Sequence, residues 1–194
     1  MFRKPVSIEK TKQTRGNFET YNQVAELDSS WQITFDPKWG GPGQVEFSKL
    51  ENWINRAEKG IKYYSGKATY RKKFDLNHKA DTAIKPGEKG ERLFLNLGNV
   101  KNVAEVRLNG KNLGILWCAP WRIEITDVCK VKGNTLEIGV INLWANRVVG
   151  DLNLPKEKRF TQTHDGFRFD MLQSTTPLLD SGLLGPVRIL TTSF

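Results

Sequence analysis

The dipeptide Asn109-Gly110 constrains the chain most. It sits between two runs in which apolar residues alternate, Ala104, Val106 and Leu108 before it, Leu113 and Ile115 after it. A two-residue hairpin turn needs positive φ at both central positions, and Asn-Gly supplies this at least cost. Folding the chain about this turn pairs Leu108 with Lys111, Val106 with Leu113 and Ala104 with Ile115. The apolar residues then fall on one face of an antiparallel pair.

The same period of two recurs along the chain. Trp31, Ile33 and Phe35 mark one strand, and Ala68, Tyr70, Phe74 and Leu76 another. Leu93, Leu95 and Leu97 open a third. Ile123 and Ile125 follow a reversal at Ala119-Pro120. Leu136, Ile138 and Val140 follow a turn at Lys132-Gly133-Asn134. A last strand, residues 187–191, follows Gly185-Pro186. One helix is expected. Ser48 and Glu51 form a capping box, Leu50, Trp53, Ile54 and Ala57 share a face, and Gly60 provides a stop. Residues 1–25 read as a lead-in or linker, with the folded module over 26–194. Between about Ala145 and Gly185 alternation stops, although Phe160, Phe167, Phe169 and Met171 make the stretch too apolar for a linker. Many short strands, one short helix, one long irregular loop and no βαβ rhythm predict an all-β, antiparallel sandwich of the jelly-roll type.

With 30 basic and 21 acidic residues the net charge is +9. The excess is spread along the chain, which argues against a nucleic-acid groove and suits a solvated surface or an acidic glycan. No apolar run is long enough to cross a bilayer, and Met1 is not followed by the apolar stretch of a secretory signal. Two cysteines, Cys118 and Cys129, exclude a disulfide framework and a Cys-rich zinc site, and both read as free and buried.

No phosphate loop, nucleophile elbow or metal-ligand spacing is present, and no cofactor is expected. His78 and His164 stand alone in polar loops. Asp151, Asp165, Asp170 and Asp180 lie in the irregular stretch, where a glycosidase would need two carboxylates held at a fixed separation. Aromatic residues beside amides and guanidinium groups suit sugar binding, since a ring plate packs on the C–H face of a sugar while polar groups fix its hydroxyls. Trp144, Asn146, Arg147 and Asp151, directly after the strand around Leu136–Val140, are the first candidates. Trp117 and Trp121 are the second. The competing reading is that Arg147 pairs with Asp151 to pin the loop and that the tryptophans close the core.

Several segments taken together carry a family likeness. Trp31-Gln32-Ile33-Thr34-Phe35, Gly40-Gly41-Pro42, Leu50 and Trp53, and Ile61-Lys62-Tyr63-Tyr64-Ser65-Gly66-Lys67-Ala68-Thr69-Tyr70 resemble the sugar-binding β-sandwich of glycoside hydrolase family 2. So do Ala104-Glu105-Val106-Arg107-Leu108-Asn109-Gly110, Leu113-Gly114, Trp117, Ile123-Glu124-Ile125-Thr126-Asp127 and Asn134-Thr135-Leu136. Asn142-Leu143-Trp144-Ala145-Asn146-Arg147-Val148-Val149-Gly150-Asp151 and Ser181-Gly182-Leu183-Leu184-Gly185-Pro186-Val187 are closer still to the C-terminal region of family 106 α-L-rhamnosidase-like proteins. The resemblance implies a galactose-binding-domain-like jelly roll that accompanies a catalytic domain holding the catalytic carboxylates. It implies a parent enzyme of the periplasm or cell exterior. The partners expected are a carbohydrate, for which an acidic, pectin-like glycan would suit the charge, and the catalytic domain of the same parent chain. No nucleic acid and no membrane are expected. The alternative is a free-standing lectin-like binding domain.

Overall fold

The computed structural model describes residues 20–27, 29–76, 92–161 and 172–192. Twelve strands are seen among them: β1 (Tyr21–Glu26), β2 (Ser29–Phe35), β3 (Gln44–Lys49), β4 (Lys67–Phe74), β5 (Arg92–Asn96), β6 (Asn99–Lys101), β7 (Val103–Leu108), β8 (Lys111–Leu116), β9 (Arg122–Glu124), β10 (Asn134–Ile141), β11 (Gly182–Gly185) and β12 (Arg188–Thr192). They form a six-stranded sheet in the order β3-β2-β4-β10-β7-β8, a four-stranded sheet β1-β12-β5-β9 and a small pair β11-β6. The strand ladders are antiparallel. The architecture is an all-β sandwich.

Alternation builds the core. From the six-stranded sheet, Trp31, Ile33, Phe35, Tyr70, Val106, Leu108 and Ile138 turn inward. From the four-stranded sheet they meet Leu93, Leu95 and Ile189. Burying side chains of this size stabilises the fold by roughly 1.5–3 kcal/mol each. The polar tips of the core aromatics are satisfied inside. Trp53 Nε1 donates to the Tyr70 hydroxyl at 2.6 Å, and Leu183 N donates to the same oxygen at 3.1 Å. Burial raises the Tyr70 pKa well above that of an ordinary phenol, so the hydroxyl stays neutral.

Four expectations change. The sandwich begins earlier than residue 26, because Tyr21–Glu26 is the strand paired with β12. The helix expected over residues 48–57 is absent. Ser48 lies in β3, and the chain then makes one 3-10 turn, Trp53–Asn55, before the short helix α1 (Lys59–Lys62). Asn52 is the cause. Its Oδ1 accepts from Ile54 N at 3.4 Å and from Ser181 N at 3.0 Å, and Trp53 N donates to Ser181 O at 3.1 Å. A side chain that bonds nearby backbone in this way competes with helix formation. Gly60 lies inside α1 rather than ending a helix; a Cβ there would come within 2.6 Å of Gly40 O.

The hairpin forms, with φ of 52° at Asn109 and 82° at Gly110. Leu108 pairs with Lys111 as expected, but a bulge then shifts the register, so that Val106 faces Gly114 and Glu105 faces Ile115. Gly114 takes φ of 120°, and its amide donates to Asn112 Oδ1 at 3.0 Å. The slip sends Ile115 to solvent, where it is 62% exposed, rather than into the core.

The fourth change lies in the stretch expected to be irregular. Residues Ala145–Leu152 form helix α2. Gly150 masks it in the sequence, yet the glycine is there for packing, since a Cβ would lie 2.7 Å from the Tyr63 side chain. His78, His164, Asp165, Asp170, Phe167, Phe169, Met171 and the loop 81–90 fall outside the described residues.

Candidate functional site

Strand β10 ends at Ile141, and Asn142 fastens the chain directly beyond it. Its Nδ2 donates to Tyr64 O at 2.8 Å, and its Oδ1 accepts from Gly66 N at 3.0 Å. Helix α2 then starts with Trp144 at its N-cap. The N-terminal turn is held by Ser65, whose Oγ donates to Leu143 O at 2.8 Å and accepts from Arg147 N at 3.2 Å.

Three of the four candidates on this helix point inward. Asn146 is buried and mimics a strand partner for Leu179: its Nδ2 donates to Leu179 O and Ser181 Oγ at 2.7 Å, and its Oδ1 accepts from Leu179 N at 2.8 Å. Arg147 and Asp151 form an i,i+4 ion pair, Nε to Oδ1 at 3.0 Å, with side chains only 4% and 3% exposed. The contact is close but off the hydrogen-bond line. Asp151 Oδ2 accepts from Phe160 N at 3.1 Å and from Thr161 N and Oγ1 at 2.7 Å. The Arg147 guanidinium lies 4.8 Å from the Phe160 ring centre. Burial lowers the Arg147 pKa, and the Asp151 charge opposes that shift. Asn146, Arg147 and Asp151 therefore spend their polar atoms within the fold, and the pairing of Arg147 with Asp151 is what the structure shows.

Trp144 is different. It is 53% exposed, and its ring meets Trp39 edge to face, with centroids 5.5 Å apart at 89°. Trp39, itself 38% exposed, ends a 3-10 turn, Pro37–Trp39, set by Asp36 Oδ1 accepting from Lys38 N at 2.9 Å. The ring of Phe160 lies against Gly40, the next residue. Trp39 and Trp144 thus form an exposed aromatic edge, with the Phe160 ring beside it against Gly40. Sequence reading missed Trp39 because the residues around it, Asp36-Pro37 and Gly40-Gly41-Pro42, signalled only a break. The usable signal was a large aromatic in a stretch with no strand to bury it.

Trp117 and Trp121 do not make ring contacts with this edge among the described residues. Trp117 is 74% exposed just beyond β8, whereas Trp121 is half-buried against the core and its carbonyl accepts from Leu97 N at 2.7 Å. Both cysteines are free, but Cys118 is exposed rather than buried.

The outer face of the six-stranded sheet carries a shallow groove with many charges. They are largely paired with one another: Glu105 contacts both Lys67 and Arg107, and Arg71 lies 3.7 Å from Glu137. Among the described residues no group of three His, Cys, Asp or Glu gathers as a metal site, and no helix is long and apolar enough to cross a membrane.

The fold is an all-β sandwich, and comparison with known proteins shows its likeness to a β domain of glycoside hydrolases. The rhamnosidase from Novosphingobium sp. PP1Y matches 98% of this chain at a TM-score of 0.79 and 37% identity, and the match covers 17% of that chain. A Formosa agariphila protein bearing the name beta-glucuronidase is 36% identical over 186 residues, 86% of this chain and 16% of its own length. A beta-glucuronidase from an uncultured Clostridium sp. shares the fold at a TM-score of 0.51 and 20% identity, over 94% of this chain and 30% of that one. No protein-family model matches the chain. The chain spans about a sixth of the length of the first two relatives.

Proposed function

We propose that this chain is a non-catalytic accessory module of a glycoside hydrolase, α-L-rhamnosidase-like in kind, which contacts carbohydrate through the aromatic edge at Trp144 and Trp39. The observation that carries the reading is the match of nearly the whole chain to about a sixth of a rhamnosidase, at a TM-score of 0.79. A match confined to so small a share supports a domain that serves a larger enzyme. The carbohydrate contact draws its support from Trp144. An exposed indole set on a helix whose base is pinned by buried polar groups offers a preorganised plate for a sugar ring. The resemblance to family 106 agrees with this assignment, and through it with an enzyme of the periplasm or cell exterior.

Binding of rhamnose-, glucuronate- and galacturonate-containing oligosaccharides to the isolated chain, followed by calorimetry, tests the reading. Binding is expected with no turnover of aryl rhamnosides or glucuronides. Trp144→Ala should abolish binding and leave the melting temperature within about 2 °C, since an exposed side chain carries little stability. Turnover that survives repurification and is lost on changing one carboxylate would overturn the non-catalytic role. Binding undiminished by Trp144→Ala would overturn the placement of the site.

A further inference from the structure

Asn109-Gly110 is the one Asn-Gly step in the chain. Such a step carries a chemical liability as well as a turn preference. Glycine has no side chain to hinder its amide nitrogen, so that nitrogen can attack the carboxamide carbon of the preceding asparagine. A bond forms between Gly110 N and Asn109 Cγ, the bond from Cγ to Nδ2 breaks, and the Gly110 amide proton leaves with Nδ2 as ammonia. The cyclic imide then takes up a water and opens to aspartate or isoaspartate. The sequence of steps needs only water.

The fold directs the whole carboxamide away from that attack. Asn109 Oδ1 accepts from Thr135 N at 2.9 Å, and Nδ2 donates to Val128 O at 2.7 Å and to Asn134 Oδ1 at 3.0 Å. The main-chain N–H of Asn109 donates to Thr135 O at 2.8 Å. Asn134 is fully buried and itself held on both sides: its Oδ1 accepts from Lys130 N at 2.8 Å, and its Nδ2 donates to Lys130 O at 2.6 Å. The carboxamide thus ties the hairpin turn to residues 128–130 and to the start of β10. Gly110 has no such cover, since no atom lies within 4 Å of the place a Cβ would take. The protection therefore lies with the Asn109 side chain. Its Cγ can approach Gly110 N only when the three side-chain bonds are broken and the corner opens.

The product cannot restore what was lost. A carboxylate at position 109 has no donor for Val128 O or Asn134 Oδ1 and sets its charge against both acceptors. Isoaspartate also adds a carbon to the main chain of a two-residue turn, whose φ values of 52° and 82° suit the strands it joins.

We infer that Asn109 is a modification site of this protein: it deamidates through Gly110 when the corner between the hairpin, residues 128–130 and β10 opens, and the product leaves that corner weakened. The inference is independent of the carbohydrate reading.

The 194-residue chain is incubated in mildly alkaline buffer, both folded and unfolded in urea. Peptide mapping by mass spectrometry separates asparagine, aspartate and isoaspartate at position 109. In the unfolded chain Asn109 should be the fastest-reacting asparagine. In the folded chain its conversion should be at least about tenfold slower, because it waits on local opening. Asn134→Ala removes one acceptor of Nδ2 and should raise the folded-state rate severalfold. Where that variant fails to fold, the parent chain in urea below its unfolding midpoint gives the same reading, since the rate should climb as opening becomes easier. Asn109→Asp, which installs one product directly, should melt roughly 4–8 °C lower than the parent. Equal rates in the folded and unfolded chains would overturn the guarding role of the three bonds. Conversion of other asparagines in the unfolded chain with none at Asn109 would overturn the site. An unchanged melting temperature for Asn109→Asp would overturn the consequence for the corner.

Discussion

Removing either member of the Arg147–Asp151 pair should destabilise the module, and removing Asp151 should cost more. Both side chains are almost fully buried, so bulk solvent does little to screen the pair. Breaking a buried pair by deleting one partner costs roughly 3–5 kcal/mol. The two deletions differ in what they strand. After Arg147→Ala, the Asp151 carboxylate keeps its three donors, Phe160 N, Thr161 N and Thr161 Oγ1. The loss then falls near the lower end, about 3 kcal/mol. After Asp151→Ala, the guanidinium is left buried without its counter-charge and the two amides without their acceptor, which puts the loss at about 5 kcal/mol or more. For a domain of this size each kcal/mol moves the melting temperature by about 2–4 °C. The expected drops are therefore roughly 6–12 °C for Arg147→Ala and 10–20 °C for Asp151→Ala. Urea denaturation followed by tryptophan fluorescence and by circular dichroism gives both free energies. A functional role in ligand contact would instead leave Arg147→Ala nearly as stable as the parent chain. Losses below about 1 kcal/mol, the scale of a surface ion pair, or a reversed order of the two variants, would refute the reasoning.

Gly110→Val tests the turn. With φ of 82° and no atom within 4 Å of the place a Cβ would take, the cost is purely conformational, and a loss of about 1–2 kcal/mol in denaturant is expected; no loss would show a different turn in solution. Cys129 sets an alkaline limit. Burial raises its folded pKa to about 11, so the neutral thiol stabilises the fold fully below the unfolded value near 9 and progressively less as pH rises towards 11. Cys129→Ala should flatten that part of the stability profile, and an identical alkaline decline in the variant would count against the assignment.

The sequence showed the strands plainly because alternation is a local signal, and in β2, β4, β7 and β10 the inward residues are those it marked. It misjudged the positions where a tertiary contact overrides local preference. Asn52 ties its own turn to Ser181, 129 residues away in sequence, and so cancels a helix that capping and periodicity both favoured. Val148, Val149 and Gly150 are weak helix formers. Nevertheless α2 forms, because Gly150 lets Tyr63 approach and because Arg147 and Asp151 meet one turn apart. That i,i+4 spacing of opposite charges was visible in the sequence and could have indicated the helix. The hairpin turn was legible, but its bulge was not, since Gly114 lies beyond the turn and its φ is set by the Asn112 side chain. At the candidate site the residue types were noticed together, but their directions were not. Periodicity could not assign an inside and an outside to a segment that had none in the sequence.

Those directions give the buried pair a purpose that stability alone does not supply. Replacing a buried ion pair by apolar side chains is often neutral or stabilising, so such a pair is weak evidence of optimisation for stability. Here it lies within a closed chain of contacts. Trp144 caps the helix that carries Arg147 and Asp151, and Asp151 holds the amides of Phe160 and Thr161. Phe160 rests on Gly40, and Trp39 beside it returns to the ring of Trp144. Two neighbouring segments, α2 and residues 160–161, are joined to the sequence-distant Trp39-Gly40 at one edge of the sandwich, and the exposed indoles are the outer members of the set. An apolar replacement could fill the space but would leave the register of residues 160 and 161 unspecified, because it has no acceptor for their amides. The pair thus fixes which side of α2 faces out and where the two indoles stand, and the geometry of the exposed edge depends on charges that never reach the surface.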